Sequence, residues 1–276
     1  MKKRKITAGR IVLYITAYAC ALLWLFPILW MAVSAFKPVG TPVSILNVAF
    51  SPPFTLKNFT LISQKAPVWI WTFNSAMITI VVTIAMMFLA SLAGYALSKL
   101  DFKGKPIVFT IILAGMMIPI EATIIPLYKT MADLSLLNTY EGLIYPSLAA
   151  PLGVLIMKQF YDGIPNELLE AARIDGANVF IIWQRICLPL ARSALASVGI
   201  FTFTNSWNNF LWPFLSITSE KMMTLPVGIP QFQGANLTEF VLPMTVSLIA
   251  SVPALLAFVI FQKQIIQGIA MSGIKG

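Results

Sequence analysis

A chain of 276 residues that is 58% hydrophobic, only 11% charged and has a mean hydropathy of +0.84 is too apolar for a soluble globule and falls among polytopic membrane proteins. Its formal charge of +9 does not indicate a nucleic-acid partner, because the basic residues form short clusters beside apolar runs, where membrane topology explains them. The absence of histidine removes the commonest metal ligand and the usual neutral-pH general base, so metal-dependent and acid–base enzymes lose their first candidates.

The amino terminus, Met1-Lys2-Lys3-Arg4-Lys5, leads into an apolar run from Ile11 to Phe36. At about 26 residues this run is longer than a signal-peptide core and reads as a retained signal anchor. Five more runs follow: Trp71–Leu97, Pro106–Leu127, Gly142–Phe160, Ala194–Ile217 and Phe240–Phe261. Each is near or above the roughly 20 residues that cross the hydrocarbon. The expected fold is all-α and polytopic, with six transmembrane helices. Counting Lys and Arg on alternating sides gives fourteen (residues 2–10, 99–105, 158–192, 263 and 275) against five (Lys37, Lys57, Lys65, Lys129 and Lys221). That bias places both termini, and the loop between spans four and five, in the cytoplasm. Three regions are expected: 1–70, an anchor span with an outer loop; 71–262, a core of five spans containing the loop 163–189; and 263–276, a cytoplasmic tail. Cys20 and Cys187 belong to different depths in this scheme and do not form a pair suited to bridging.

Within this frame single residues stand out. The outer loop, residues 37–68, carries Pro38, Pro42, Pro52, Pro53 and Pro67 and reads as an extended segment without its own core. Trp69 and Trp71 mark an interface belt at the start of span two, and Ala90 with Gly94 forms a small-xxx-small pair that permits close helix contact. Span three contains Pro119, Pro126 and Glu121, the one acidic residue inside any of the runs. An intramembrane carboxylate marks a functional site by default, but its position in the outer third equally suits an interface residue.

The stretch from Gly163 to Pro189 departs from its surroundings by gathering Glu167, Glu170, Arg173, Asp175 and Arg185. Each such charge at mid-bilayer costs roughly 2.5–3.5 kcal/mol, so the stretch belongs in water or against another protein. Pro165, Glu167 and Glu170 suit a helix start, and Gly176 suits a left-handed stop. Asn178 is placed to cap a second helix, from Val179 to about Leu188, that Pro189 ends. Leu168, Leu169 and Ala172 give the first helix an apolar edge, and Glu170 is spaced to pair with Arg173.

Glu170-Ala171-Ala172, then Gly176, then Ile186, Leu188 and Pro189 resemble the EAA loop of the permease subunits of binding-protein-dependent ABC importers. In that family the loop is the coupling helix that docks into a cleft of the cytoplasmic ATPase. The resemblance implies that Leu168, Leu169, Glu170, Ala171, Ala172, Arg173, Asp175 and Gly176 form the ATPase-coupling element.

Span five brings Thr202, Asn205, Asn208, Asn209 and Trp212 together at three- and four-residue spacing, which on one continuous helix is a single face near mid-depth. Amides facing lipid each cost several kcal/mol, so this face must meet other helices or a wet cavity. Amides with a Trp also suit sugar hydroxyls and the apolar face of a sugar ring, while interhelical hydrogen bonding without substrate remains the alternative. Pro213, Pro243 and Pro253 are expected to kink or end their helices.

The end of the chain, Gln262 to Gly276, is similar to the C-terminal end of maltose-type permease subunits, which reaches between the two ATPase subunits. With the run Asn208-Asn209-Phe210-Leu211-Trp212-Pro213, the resemblance covers Trp71 to Gly276 and narrows the family to carbohydrate and glycerol-phosphate importers. It implies a second, homologous permease chain, two ATP-binding subunits that hydrolyse ATP with Mg, an extracytoplasmic sugar-binding protein, and a bacterial or archaeal cytoplasmic membrane. No cofactor is expected on this chain, and it is not expected to be an enzyme: Gly104-Lys105 is followed by Pro106 and lacks the upstream glycine of a phosphate-binding loop. A secondary transporter would need more ionisable groups at mid-membrane, and an intramembrane enzyme a nucleophile–base pair or clustered metal ligands.

Overall fold

The structure, a computed structural model, describes residues 8–149, 151–233 and 239–273, with side chains for 9–149, 151–233 and 239–262. The basic amino-terminal cluster, residues 274–276 and the side chains of the tail from Lys263 onward lie outside the described residues. Among the described residues every regular element is a helix. In chain order these are α1 (Ala8–Ala35), α2 (Leu46–Phe50), α3 (Lys57–Lys65), α4 (Val68–Lys99), α5 (Lys105–Met117), α6 (Ile120–Asp133), α7 (Tyr140–Ile144) and α8 (Pro151–Asp162). They continue with α9 (Asn166–Ile174), α10 (Val179–Leu190), α11 (Arg192–Trp207), α12 (Leu211–Ser216), α13 (Leu225–Gly228) and α14 (Val241–Gly273). The chain forms two compact units, one of residues 1–68 with 228–252, the other of 69–227 with 253–276.

In the first unit α1 presents an almost wholly exposed apolar surface from Ile11 to Leu25. The outer loop is not the coreless extended segment its prolines suggest. Trp30 Nε1 donates to the Val43 carbonyl at 2.9 Å, and Val43, Ala49 and Val241 are buried together against the Trp30 ring. Lys37 is buried, its ammonium donating to the Ser51 and Pro53 carbonyls and lying 4.6 Å over the Phe54 ring. Asn58 Nδ2 donates to the carbonyls of Ala35 and Lys37 at 2.8 and 2.7 Å. Buried polar groups need partners, and here side chains of the loop supply what prolines cannot.

The second unit is organised on α4, 32 residues long and free of proline. The small-xxx-small reading of this helix holds. A Cβ on Gly94 would lie 2.7 Å from Met157 Cβ and 2.8 Å from Lys158 N, so α8 crosses α4 in contact with its backbone. Ala90 is fully buried one turn earlier, beside Gly153 of α8. Around this crossing Met86, Tyr95, Met157, Tyr161, Leu169, Ile182, Trp183, Cys187, Ala194 and Val198 form one core. A second core joins Ile78 and Val82 of α4 to Met131, Leu143, Trp212 and Ile217.

Three of the six apolar runs form long helices: α1, α4 and α14. The others are broken. Run three divides into α5 and α6, which meet at 104°. Pro119 has no N–H to continue the ladder and holds Ile118 extended (φ −88°, ψ 116°), so a sharp bend replaces the single span expected from hydropathy. Run four consists of α7, a short 3-10 turn at Tyr145–Leu148 and then α8. Run five is α11, a break, and α12. Of the two predicted belt tryptophans, Trp69 is exposed, but Trp71 is buried and donates from Nε1 to the Glu220 carbonyl at 2.7 Å.

Candidate coupling hairpin and polar helix break

The charged stretch folds as the two-helix hairpin that its turn residues dictate. Helix α9 begins after Pro165 and ends in a left-handed turn in which Gly176 has φ +81°. Gly176 N–H donates to Arg173 O at 3.0 Å and Ala177 N–H to Ala172 O at 2.9 Å, the paired 5→2 and 6→1 bonds of a Schellman stop. Asn178 Oδ1 then accepts from Ile181 N–H at 2.9 Å and opens α10. Helix α10 runs two residues past the expected end, to Leu190, by widening into a π-helical turn at Trp183–Cys187. The wider turn lies where the Pro189 ring would otherwise press on the carbonyl four residues back, at Arg185. The chain then bends by 80° into α11.

The hairpin is fastened from beneath. Leu169, 2% exposed, enters the core, and Ala172 packs against the same core from the next turn. These two were expected among the outward contacts, and the structure turns them inward. Leu168 (44% exposed), Ala171 and Ile174 (87% exposed) face out instead, among Glu167, Glu170, Arg173 and Asp175, all exposed. Ile174 is absent from the sequence-derived set, although its i, i+3, i+6 spacing with Leu168 and Ala171 was visible. The expected Glu170–Arg173 pair does not form; the ion pairs among the described residues are Lys105–Asp101 at 3.9 Å and Lys158–Asp162 at 2.7 Å.

Polar side chains of α4 secure the rest. Lys99 Nζ donates to Ile164 O at 2.6 Å and Asn166 Oδ1 at 2.9 Å, and Ser98 Oγ donates to Asp162 Oδ1 at 2.7 Å. Deeper in, Trp183 Nε1 donates to Ser91 Oγ at 2.9 Å, Ser91 Oγ and Tyr161 Oη lie 2.8 Å apart, and Tyr95 Oη donates to Val179 O at 3.2 Å. A polar cleft of about 580 Å³ opens beside the hairpin, between Ser98–Phe102 and the residues Asn166, Leu169, Glu170 and Arg173.

The predicted polar face of run five is divided by the helix break. Thr202, buried, and Asn205, exposed, lie on α11, which ends at Trp207. Asn208 follows, exposed, with its Nδ2 donating to Thr204 O at 2.9 Å. Asn209 is half-buried and lines a small pocket of mixed character with Ser75, Thr79, Ser206, the unpartnered Thr224, Ile78 and Leu143. Trp212 is not on this face: buried on α12, it donates from Nε1 to the Gly142 carbonyl at 2.9 Å and joins α12 to α7. Glu121 lies exposed in the first turn of α6, where the positive end of the helix dipole favours a carboxylate, rather than along a continuous span. Among the described residues no cluster of three or more acidic or sulfur ligands forms a metal site.

Comparison with known proteins places these features. Residues 86–271 match the family described as binding-protein-dependent transport system inner membrane component. The chain is 34% identical to the arabinooligosaccharides transport system permease protein AraQ of Bacillus subtilis, over 97% of this chain and 96% of the relative. It is 32% identical to the trehalose/maltose transport system permease protein MalG of Thermococcus litoralis, over 97% of each. A chain from the crystal structure of a bacterial ABC transporter that imports the acidic polysaccharide alginate shares the fold, with a TM-score of 0.81 at 23% identity over 95% of this chain and 98% of that one. Matched along two thirds of its length, with its charged hairpin and its broken spans inside the matched region, the chain belongs to the inner-membrane permease family of binding-protein-dependent ABC transport systems.

Proposed function

We propose that the chain forms one half of the translocation path of an ATP-driven carbohydrate importer and receives force from a separate ATPase through the α9–α10 hairpin. The observation that carries this reading is the two-sided build of α9: Leu169 and Ala172 hold it to the permease core, while Leu168, Ala171 and Ile174 stand exposed within a ring of charges. Leu168, Ala171 and Ile174 recur at three-residue spacing, so the exposed apolar side chains form one patch on a charged helix, the kind of surface that a protein partner covers. The carbohydrate follows from the named substrates of relatives that match nearly the whole chain.

The remaining parts of the reading come from the family. The path is completed by a second, homologous permease chain, two ATP-binding subunits bind and hydrolyse ATP with Mg, and an extracytoplasmic binding protein delivers the sugar. Both termini and the hairpin are cytoplasmic in a bacterial or archaeal membrane, consistent with the Lys and Arg bias. Closure of the ATP-bound subunits draws the hairpins together and rocks the helices attached to them. Asn205 and Asn208, polar and exposed at the end of α11, are the side chains best placed to meet sugar hydroxyls, whereas Thr202 is buried, Asn209 half-buried, and Trp212 structural. The test is purification of the chain from its native membrane, followed by assay of the complex in liposomes. A co-purifying ATPase that drives uptake of an arabino- or malto-oligosaccharide is the expected result. Absence of any ATP-hydrolysing partner refutes the reading.

A further inference from the structure

Helix α4 is hydrogen-bonded at both ends to segments that the sequence places on opposite sides of the membrane. At its carboxyl-terminal half Ser91, Tyr95 and Lys99 hold Trp183, Val179 and Asn166 of the hairpin. At its amino-terminal end three buried side chains hold the connection between α12 and α13. Trp71 Nε1 donates to Glu220 O at 2.7 Å; Asn74 Nδ2 donates to both Lys221 O and Met223 O at 2.9 Å; and Ser75 Oγ accepts from Leu225 N–H at 2.8 Å. Asn74 is itself fixed by Tyr140, whose hydroxyl donates to its Oδ1 at 2.9 Å. Trp71, Asn74, Ser75, Ser91 and Tyr95 are all 3% exposed or less.

Between these ends α4 has no mechanical weak point. Asn74 and Ser91 are separated by about 25 Å of helix, and the whole element is about 48 Å long at 1.5 Å per residue. The other long helices, α1 and α14, contain Pro27 and Pro253, and the helix pairs α5–α6 and α10–α11 are bent by 104° and 80°. Proline and sharp breaks are where helices yield. The one glycine of α4, Gly94, is clamped against the α8 backbone, so it is not a hinge.

We propose that α4 is a connecting rod between the coupling hairpin and the outer segment Glu220–Leu225, with Trp71, Asn74 and Ser75 as positioning residues at one end and Ser91, Tyr95 and Trp183 at the other. The inference rests on the reading of the hairpin as the ATPase contact and adds where its motion goes. Displacement of α10 moves α4 through the Trp183–Ser91 and Tyr95–Val179 bonds, and α4 carries the Glu220–Leu225 segment with it. A state change at the motor is thereby delivered to the opposite face, on the outer connection ahead of α13.

The experiment uses the permease complex with its co-purified ATPase in nanodiscs. A spin label at Lys221→Cys, in a Cys20→Ser background, reports the outer segment; Cys187, the remaining cysteine, is buried. Addition of ATP and Mg is expected to change the label's mobility in the parent. Ser91→Ala and Trp183→Phe each remove inner-end hydrogen bonds, and Asn74→Leu removes the two that Asn74 donates to Lys221 O and Met223 O at the outer end. Each is expected to cut the nucleotide-dependent change by about threefold or more, since each loses at least one hydrogen bond. Basal hydrolysis stays at the parent rate, and Ser91→Thr restores the response. Undiminished responses in all three variants overturn the rod. A parent complex that hydrolyses ATP without any change at Lys221 also overturns it, whereas failure to recover an ATPase at all refutes the functional reading instead.

Discussion

Gly176 allows a sharp test of why the hairpin turns where it does. Its φ is +81°, and a Cβ built there would meet nothing within 4 Å, so any penalty for a side chain is purely the backbone cost of a left-handed residue. That cost is about 1–2 kcal/mol for an ordinary L-residue, less for Asn and greatest for a β-branched side chain. Because Gly176 N–H and Ala177 N–H close the Schellman stop, the penalty is paid by opening those two bonds rather than by unfolding the core. Amide exchange at Gly176, or its replacement, and at Ala177 should accelerate roughly fivefold to thirtyfold in Gly176→Ala and Gly176→Val, the factors that 1–2 kcal/mol imply. Gly176→Asn should remain close to the parent. In the reconstituted complex the order of coupling, measured as sugar imported per ATP hydrolysed, should follow the same series, with membrane insertion unchanged. If Asn impairs coupling as severely as Val, the glycine is required for space against the ATPase rather than for its conformation. Normal exchange and coupling in Gly176→Val would refute the argument outright.

The inward and outward halves of α9 should separate in assay. Leu169→Ala empties a site in the main core and should destabilise the permease by about 2–5 kcal/mol, read as a lower Tm in detergent, while Leu168→Ala and Ile174→Ser leave Tm unchanged and weaken ATPase retention on purification. Gly94→Ala places a methyl 2.7 Å from Met157 Cβ and 2.8 Å from a backbone nitrogen, so it should cost about 1–3 kcal/mol through forced separation of α4 and α8, again as a fall in Tm. Trp212→Phe keeps an aromatic side chain but is smaller and leaves the Gly142 carbonyl without its donor; about 1–3 kcal/mol of stability should be lost with the KM for sugar uptake unaltered, whereas Asn205→Ala and Asn208→Ala should raise that KM at unchanged Tm.

The hairpin was legible in the sequence because its determinants are local. Gly176 supplies a positive φ, Asn178 a side-chain acceptor and Pro165 a helix boundary, and each acts within four residues of its own position. The six apolar runs were legible as composition, and three of them form the continuous helices expected, but the breaks in the other three were not legible. In run five the visible breaker is Pro213, yet the helix ends at Trp207. Asn208 turns its amide onto the Thr204 carbonyl, and Pro213 has no N–H to offer the Asn209 carbonyl, so a helix continued to Pro213 would gain little from the intervening residues. Spacing along a straight helix therefore put Trp212 on a face that it does not share with Asn205. The outer loop failed as a reading for a related reason. Its prolines announce irregular backbone, but its small core depends on Trp30 and Val241, residues far apart in sequence whose meeting no local pattern encodes.

The distinction between Leu168 and Leu169 was equally invisible, since adjacent leucines satisfy any helical period, yet it bears most directly on function. One of the pair is withdrawn into the core and the other is left out, together with Ile174 at 87% exposure, on a helix whose charges exclude it from lipid. Burying a Leu or Ile side chain stabilises by about 1.5–3 kcal/mol. The isolated chain forgoes most of that stabilisation at Ile174 and part of it at Leu168, while Leu169 and Ala172 of the same helix are packed and its C-terminal end is closed by the two Schellman bonds. Looseness does not explain the exposed pair, because the element is well fastened. A rigid, partly apolar and strongly charged knob on an otherwise lipid-compatible molecule is suited to a protein cleft, which supplies the apolar cover and the counter-charges that neither water nor the bilayer provides together.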